Sequence, residues 1–183
     1  MILSPTHIGG VWTIENFAFE DSRGRFARVF CAKELSRVIG SRAILQVNHS
    51  LSSKVGSVRG FHFQHPPHAE MKIIRCLKGR IFDVAVDLRR GSPTLLHWTA
   101  VELSADHGNA IVIPEGCAHG FQVLEPDSEL LYIHTASYSP QNEGAILFDE
   151  PKVGVKWPLE PTDLSQRDLS HPLLADQFEG FDL

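Results

Sequence analysis

GNAIVIPEGCAHGF, residues 108–121, joins two apolar runs across a short turn. Pro114 and Gly116 are turn-forming residues, and the runs on either side have the composition of buried strands. The second strand begins by directing His119 toward one of its faces, which in a small barrel is the interior. The stretch therefore predicts part of an all-β fold with a titratable side chain inside it.

Strand signals recur along the middle of the chain, between glycine and proline turns. Their spacing is roughly the 8–12 residues expected of an all-β sandwich or barrel. Residues 71–94, MKIIRCLKGRIFDVAVDLRRGSPT, predict two strands joined as a hairpin at Lys78-Gly79. Helical character is confined to AKELSRVI, residues 32–39, with a short turn predicted at DLSQRD, residues 163–168. The other predicted strands are AILQVNHS, LLHWTAVEL, NAIVIP, HGFQVL and ELLYIHTASY.

The last of these strands carries polar and aromatic side chains at alternate positions. Tyr132, His134, Ala136 and Tyr138 would share one face of an extended strand, because residues two apart point the same way. At about 3.3 Å per residue, the two tyrosines would lie on the order of 20 Å apart. Such a face predicts an occupied barrel interior that binds a long ligand.

Composition and charge narrow the class of protein. The chain is 43% hydrophobic and 21% charged, and no stretch approaches the ~18 apolar residues of a membrane span. We expect one soluble domain over residues 1–183, with a C-terminal tail from about Pro151 packed on the barrel. The three cysteines and the absence of a secretory pattern at the start predict a reduced, cytoplasmic protein. The net charge of −5 argues against nucleic acid as a partner.

Basic residues are nevertheless clustered locally. Each alone is most simply a solvated surface charge, but together they predict a cationic pocket for a small anion. They are Arg23, Arg25, Arg28, Lys54, Arg59, Lys72 and Arg75.

The opening stretch resembles the second sequence motif of cupins, which are jelly rolls of the double-stranded β-helix type, and His119 falls where that motif has a metal ligand. The first motif corresponds to residues 61–79, but there a metal-binding cupin has His-x-His and this chain has His62-Phe63-Gln64. Gln is a weak donor for a transition metal. The nearby His65, His68 and Glu70 could complete a site, although both histidines are expected on a surface turn. A metal-dependent cupin enzyme therefore remains an alternative.

The same side chains suit proton transfer without a metal. Abstraction of a proton next to a carbonyl needs a base active near neutral pH, a group that orients it, a cation for the enolate and an acid. The chain offers these groups in His62, Lys72, His119 and Tyr132, with Asp83 and Asp168 as carboxylates.

Over nearly its whole length the chain is similar to the dTDP-4-dehydrorhamnose 3,5-epimerase family. The motifs that carry the resemblance occur in the family's order: DSRGRF, QVNHSLS, VRGFHFQ, KIIRCLKGRIFDVAVDLRRGSPT, IPEGCAHGF, LYIHTASYSPQNEG, WP and LSQRD. The resemblance implies a cupin-type jelly roll with a few short helices, no cofactor or metal, and a homodimer. It implies a nucleoside-diphosphate 4-keto-6-deoxyhexose as substrate, epimerised at C3 and C5.

The resemblance also implies residue roles. His62 matches the catalytic base, Asp168 the carboxylate that orients it, Tyr132 the general acid, and Lys72 the partner of the enolate oxygen. The positions matched to substrate binding are His119 near the sugar, Arg23 and Arg59 at the diphosphate, and Gln46, Asn48 and Tyr138 at the nucleotide end.

Two positions complicate this assignment. Strict alternation puts Arg59 on the face opposite His62, so either a β-bulge at Gly60 brings both to one face or Arg59 has another role. Arg28 stands where the family commonly has an acidic residue, which leaves the nucleotide and sugar preference open. Two further alternatives also stay open, an epimerase acting at C3 or C5 alone and a non-catalytic barrel that binds sugar nucleotides.

Overall fold

Thirteen strands and two short α-helices build the protein, and the computed structural model describes all of residues 1–183. The strands before the first helix are β1 (Ile2–Pro5), β2 (Trp12–Glu15), β3 (Ala18–Asp21) and β4 (Gly24–Ala27), and the helix is α1 (Ala32–Ile39). Next come β5 (Gln46–Ser52), β6 (Val58–Gln64), β7 (Lys72–Lys78), β8 (Arg80–Asp87) and β9 (Trp98–Ser104). The chain ends with β10 (Ala110–Ile113), β11 (Cys117–Val123), β12 (Ser128–His134), β13 (Glu143–Ala145) and α2 (Gln166–Leu169).

Two antiparallel sheets and a separate hairpin account for these strands. One sheet has the order β1-β2-β10-β7-β12-β5, the other β13-β6-β11-β8-β9, and β3 pairs with β4. The sheets face each other across a fully buried apolar core, to which β7 and β10 contribute from one side and β8 and β11 from the other. This is the jelly roll that the sequence predicted, and most predicted strands are confirmed.

Both outer faces are also covered. Leu35, Val38 and Ile39 of α1 pack on the outside of the six-stranded sheet, because the apolar stripe of the helix faces that way. On the other side, Trp157 and Phe181 of the C-terminal segment pack against the outside of the five-stranded sheet. Neither α-helix is long and apolar enough to cross a membrane.

The predicted hairpin at Lys78-Gly79 is wrong. β7 pairs with β10 and β12, whereas β8 pairs with β9 and β11, so the chain passes from one sheet to the other at this turn. Gly79 has φ +74°, and a Cβ there would lie 2.5 Å from Ser128 Oγ, which explains why glycine occupies the corner. Two apolar runs joined by a glycine turn are compatible both with a hairpin within one sheet and with a turn that connects two sheets.

Of the two alternatives for Arg59, the structure has the β-bulge at Gly60. In the β6–β11 pairing, His62 faces His119 and Arg59 faces Phe121, so two residues of β6 oppose Gly120 alone. A Cβ on Gly60 would lie 2.4 Å from Gly120 Cα. The bulge turns Arg59 to the same side of β6 as His62.

Candidate active site

A polar groove lies between the two sheets and includes most of the residues singled out from the sequence. It consists of three adjoining cavities of about 500, 570 and 340 Å³, all of which His62 lines. The largest is walled by β5, β7 and β12 on one side and by β6 and β11 on the other. A base and an acid can therefore approach one ligand from opposite sheets.

His62 is paired with Asp168 on its side of the groove. His62 Nε2 lies 2.7 Å from Asp168 Oδ1, and the carboxylate is buried. Ser165 caps α2 by accepting a hydrogen bond from the Asp168 backbone N–H at 3.0 Å, which fixes the carboxylate at the first turn. Burial acts to raise the pKa of Asp168, but the hydrogen bond and charge of His62 lower it overall. An ionised acceptor assigns the proton to Nε2 and leaves Nδ1 of His62 free to act as a base.

Tyr132 lies on the opposite wall, on β12. Its ring packs edge-on against His119 at 5.9 Å and parallel to His134 at 6.0 Å, measured between ring centroids. Burial raises the pKa of Tyr132, so the phenol keeps its proton at neutral pH. Tyr132 is thus a hydroxyl donor that faces the same cavity as His62.

His119 forms a second pair, with Asp83 of β8. Nε2 lies 2.8 Å from Asp83 Oδ2, and both side chains are buried. Burial raises the pKa of Asp83, although the charge of His119 opposes that shift. The pair holds the ring of His119 in the cavity wall.

Lys72 brings a cation next to the base. Its Nζ donates to the backbone carbonyl of His62 at 3.3 Å and lies 3.3 Å from Glu70 Oε1. Glu70 Oε2 in turn lies 2.7 Å from Nδ1 of His134. Sequence reasoning considered Glu70 only as a metal ligand and gave His134 no role. The alternation of His134 with Tyr132 was the available signal.

The far end of the groove contains the residues matched to the nucleotide. Gln46 Nε2 donates to Asn48 Oδ1 at 3.1 Å, and the Tyr138 backbone N–H donates to Gln46 Oε1 at 3.1 Å. β12 ends at His134, so the prediction of one extended strand as far as Tyr138 is wrong. Tyr138 nevertheless lines the groove from the following loop, where its hydroxyl donates to Glu143 at 2.9 Å.

The two arginines matched to the diphosphate, Arg59 and Arg23, lie in different places relative to the groove. Arg59 lines two of the three cavities. Arg23 lies outside the groove, at the tip of the β3–β4 hairpin, with its side chain 88% exposed and 2.6 Å from Asp21. Its match to a diphosphate contact stays a prediction.

The residues that could bind a metal in the structure are not the ones that the sequence suggested. Gln64 is a structural bridge, since Nε2 donates to the carbonyls of His68 and Ser137 while Oε1 accepts from the Ser139 N–H. His65 lies on the expected turn but packs between two aromatic rings rather than in solvent.

The side chains close enough to share a metal are instead His62, Asp168 and His171, whose ligand atoms lie within 4.8 Å of one another. An ion there would have to displace the proton that His62 and Asp168 share.

Fold and groove together are those of a cupin-type sugar-nucleotide isomerase, and comparison with known proteins supports that class. The sequence profile of dTDP-4-dehydrorhamnose 3,5-epimerase matches residues 5–176. The chain is 42% identical over 176 residues to the dTDP-4-dehydrorhamnose 3,5-epimerase of Salmonella typhimurium, covering 95% of this chain and 96% of that protein.

Solved structures agree with the sequence match. The Mycobacterium tuberculosis rmlC epimerase superposes with a TM-score of 0.91 at 37% identity, covering 94% of this chain and 88% of that one. The Legionella pneumophila enzyme RmlC, crystallised with dTDP-4-keto-L-rhamnose, gives 0.89 at 36% identity, with 94% and 92% covered. The chain belongs to the dTDP-4-dehydrorhamnose 3,5-epimerase family, a family of isomerases.

Proposed function

We propose that this protein epimerises C3 and C5 of dTDP-4-dehydro-6-deoxy-D-glucose to give dTDP-4-dehydro-L-rhamnose. The observation that carries the proposal is the His62–Asp168 pair, which lies in a groove across from the hydroxyl of Tyr132. Both target carbons lie next to the C4 ketone, so their protons are acidic enough for imidazole to remove. The names of the related enzymes supply the substrate.

Abstraction of the proton falls to Nδ1 of His62. The imidazolium that forms is stabilised by the ionised Asp168 beneath it, which does not itself take the proton. Negative charge moves at the same time to the C4 oxygen of the substrate. The ammonium of Lys72 is the cation that stabilises this enolate, since it is buried beside His62 and oriented into the groove.

Inversion requires the proton to return on the other face of the sugar. Tyr132 supplies it, because its wall belongs to the six-stranded sheet and His62 belongs to the five-stranded one. Each inversion leaves His62 protonated and Tyr132 ionised. A proton must therefore pass from the imidazolium to the phenolate, through water, before the next carbon reacts.

The rest of the groove binds the nucleoside diphosphate. Arg59 donates one hydrogen bond from Nη2 to the Leu51 carbonyl at 3.3 Å but has no carboxylate partner, so its planar guanidinium is well suited to bind phosphate oxygens. Gln46, Asn48 and Tyr138 form the end assigned to the base, with the ring of Tyr138 half-exposed and available for stacking. His119, held by Asp83 at 2.8 Å, is the residue that we assign to the sugar.

A homodimer is part of the proposal. Phe17, Phe19 and Phe26 on and beside the β3–β4 hairpin are 69%, 79% and 74% exposed, an apolar surface that a second copy would cover. The same docking would offer Arg23 to the partner's groove. Light scattering at assay concentration tests this, and a fully active monomer would contradict it.

The three unpaired cysteines favour the reducing cytoplasm, which fractionation of cells would test.

Proton NMR of dTDP-4-keto-6-deoxyglucose with the enzyme in D2O tests the reaction. We expect deuterium at both C3 and C5 and a product of L-rhamno configuration. Exchange with inversion at one carbon would identify a mono-epimerase, and no exchange would refute the proposal. Replacement of His62 by Asn should abolish exchange at both carbons. Activity lost to a chelator and restored by a divalent metal would support the metal-dependent alternative instead.

A further inference from the structure

A buried carboxylate in the groove lies between two basic groups and belongs to neither of the pairs described for His62 and His119. Glu70 precedes β7, and its side chain is 8% exposed. One oxygen lies 3.3 Å from Lys72 Nζ and the other 2.7 Å from His134 Nδ1. Lys72 and His134 are direct partners in the β7–β12 register, so Glu70 bridges neighbouring strands.

Hydrogen bonds continue from this carboxylate to the nucleotide end of the groove. Asn48 Nδ2 lies 3.4 Å from His134 Nε2, Gln46 Nε2 lies 3.1 Å from Asn48 Oδ1, and the Tyr138 backbone N lies 3.1 Å from Gln46 Oε1. A backbone N–H can only donate, so Gln46 must present its oxygen to Tyr138 and its amide nitrogen to Asn48. Asn48 must then donate to Nε2 of His134.

Both hydrogen-bond partners of His134, Asn48 and Glu70, require the same protonation state of its ring. Asn48 needs Nε2 as an acceptor, and the carboxylate of Glu70 needs a proton on Nδ1. His134 is therefore neutral and protonated on Nδ1. From Tyr138 to His134, each hydrogen bond in this series is then donated in the direction of Glu70. A second proton on His134 would set an N–H against the N–H of Asn48.

Lys72 is oriented by the same carboxylate. Its ammonium has three N–H groups, of which one faces Glu70 and one the carbonyl of His62. The third is left for the groove. We propose that Glu70 and His134 form a positioning pair that aims Lys72 at the substrate's enolate oxygen and fixes the amides of Asn48 and Gln46 for the nucleotide. This rests on the proposed function, which gives Lys72 that role.

Replacement of Glu70 by Gln tests the pair through Lys72. We expect kcat for deuterium exchange to fall about tenfold or more while KM changes less than about threefold. Loss of the negative charge beside the ammonium should also move the alkaline limb of the pH–rate profile to lower pH. The charged or titratable groups that surround Lys72 or line its cavities are Glu70, His49, Arg59, His62, Asp83, His119, Tyr132, His134, Tyr138 and Glu143.

Glu129 provides a matched control. It also bridges a histidine and a lysine, with His49 Nε2 at 3.0 Å and Lys78 Nζ at 3.9 Å, but it is a third exposed and outside the groove. Glu129→Gln should leave kcat, KM and both limbs of the profile unchanged. A Glu70→Gln enzyme that melts like wild type and has wild-type kcat and an unmoved alkaline limb would overturn the proposal.

Substitutions of His134 distinguish a positioning role, which needs its hydrogen bonds, from a role in packing alone. Gln at this position can still donate to Glu70 and accept from Asn48, whereas Leu can do neither. We expect His134→Leu to raise KM about fivefold or more and His134→Gln to restore it to within about twofold of wild type. Equal KM values for the two variants would contradict the proposal.

A measurement on the unmodified protein needs no substrate. Nitrogen-15 NMR, with His134 assigned by its loss in His134→Gln, should show the Nδ1–H tautomer at neutral pH. An Nε2–H tautomer would overturn the proposal even if the enzyme is fully active. An inactive wild-type enzyme with the Nδ1–H tautomer would refute the proposed function while leaving the pair intact.

Discussion

Asp168→Asn is the most direct test of the paired base. The substitution removes the negative charge 2.7 Å from Nε2 of His62 and keeps the size of the side chain. Asp168 is buried and touches the imidazole rather than the groove's centre, so substrate binding should be little affected. The loss should therefore appear in kcat and not in KM.

The structure sets the expected size of that loss. A hydrogen bond to a charged group contributes about 1.5–3 kcal/mol, which at about 1.4 kcal/mol per factor of ten is a loss of roughly 10- to 150-fold. The tautomer adds to this, because the amide of Asn can turn its NH2 toward Nε2 and move the ring proton to Nδ1. The same replacement in Ser-His-Asp triads costs about 10⁴ in kcat for that reason. We expect a decrease of at least about 10²-fold for His62.

The assay is deuterium incorporation at C3 and C5, followed by NMR at saturating substrate. Asp176→Asn is the control, because Asp176 is fully exposed and its only recorded partner is Lys152 at 3.4 Å. Both variants should have wild-type circular dichroism. If Asp168→Asn retains kcat within about threefold of wild type, the carboxylate does not hold the base in its working tautomer, and the roles of His62 and Asp168 are wrong.

Three other substitutions probe the acid, the stability and the bulge. Tyr132→Phe should keep deuterium exchange but slow formation of inverted product by about 10²-fold, as measured by NMR; undiminished inversion would exclude the phenol as the acid. Asp87 has its pKa lowered to about 2 because bonds from Arg89 and neighbouring hydroxyls outweigh the effect of burial. Its contribution of about 2 kcal/mol is present at neutral pH and lost as pH falls from about 4 to 2, so Asp87→Asn should lower urea stability at pH 7 but not near pH 2. Gly60→Ala, with φ +125° and a Cβ 2.4 Å from Gly120 Cα, should destabilise the fold by about 3 kcal/mol or more in urea denaturation; a wild-type midpoint would mean that the two strands separate freely.

Local patterns in the sequence predict which residues form strands better than they predict which strands pair. The sequence predicts both β7 and β8 but joins them as a hairpin, because the choice of sheet depends on β10 and β12, which follow later in the chain. The bulge could be named as one of two alternatives, because it would bring two nearby residues, Arg59 and His62, to the same face. Pairing information of that kind is local, whereas sheet membership is not.

The same distinction applies to the site. His62, Lys72 and Tyr132 are on strands whose alternation points them inward, so their inclusion followed from the sequence. Asp168 is 106 residues from His62, and only the family resemblance joined them before the structure did. Glu70 and His134 are 64 residues apart, and no local pattern associates a loop carboxylate with a strand histidine.

Three histidine–carboxylate pairs with buried carboxylates line one groove, and those carboxylates explain why we assign the role of base to His62. Asp83 is fully buried and its Oδ1 has no hydrogen-bond partner, so burial prevails and its pKa is raised. Asp168 has the Ser165 hydroxyl beside it as well as His62, and Glu70 has Lys72 as well as His134, and the pKa of each is lowered.

A carboxylate that readily stays ionised can stabilise an imidazolium at the moment of proton transfer. Asp168 meets that condition on the open wall of the groove, where His62 is 31% exposed and can reach the substrate. Asp83 meets it poorly, which suits His119 to hold the sugar. Glu70 meets it too, but its charge is shared with the ammonium of Lys72, and His134 presents its free nitrogen to Asn48 rather than to a reacting carbon. All three pairs join a histidine to a carboxylate, and whether that carboxylate has a second partner, and which one, decides what its histidine can do.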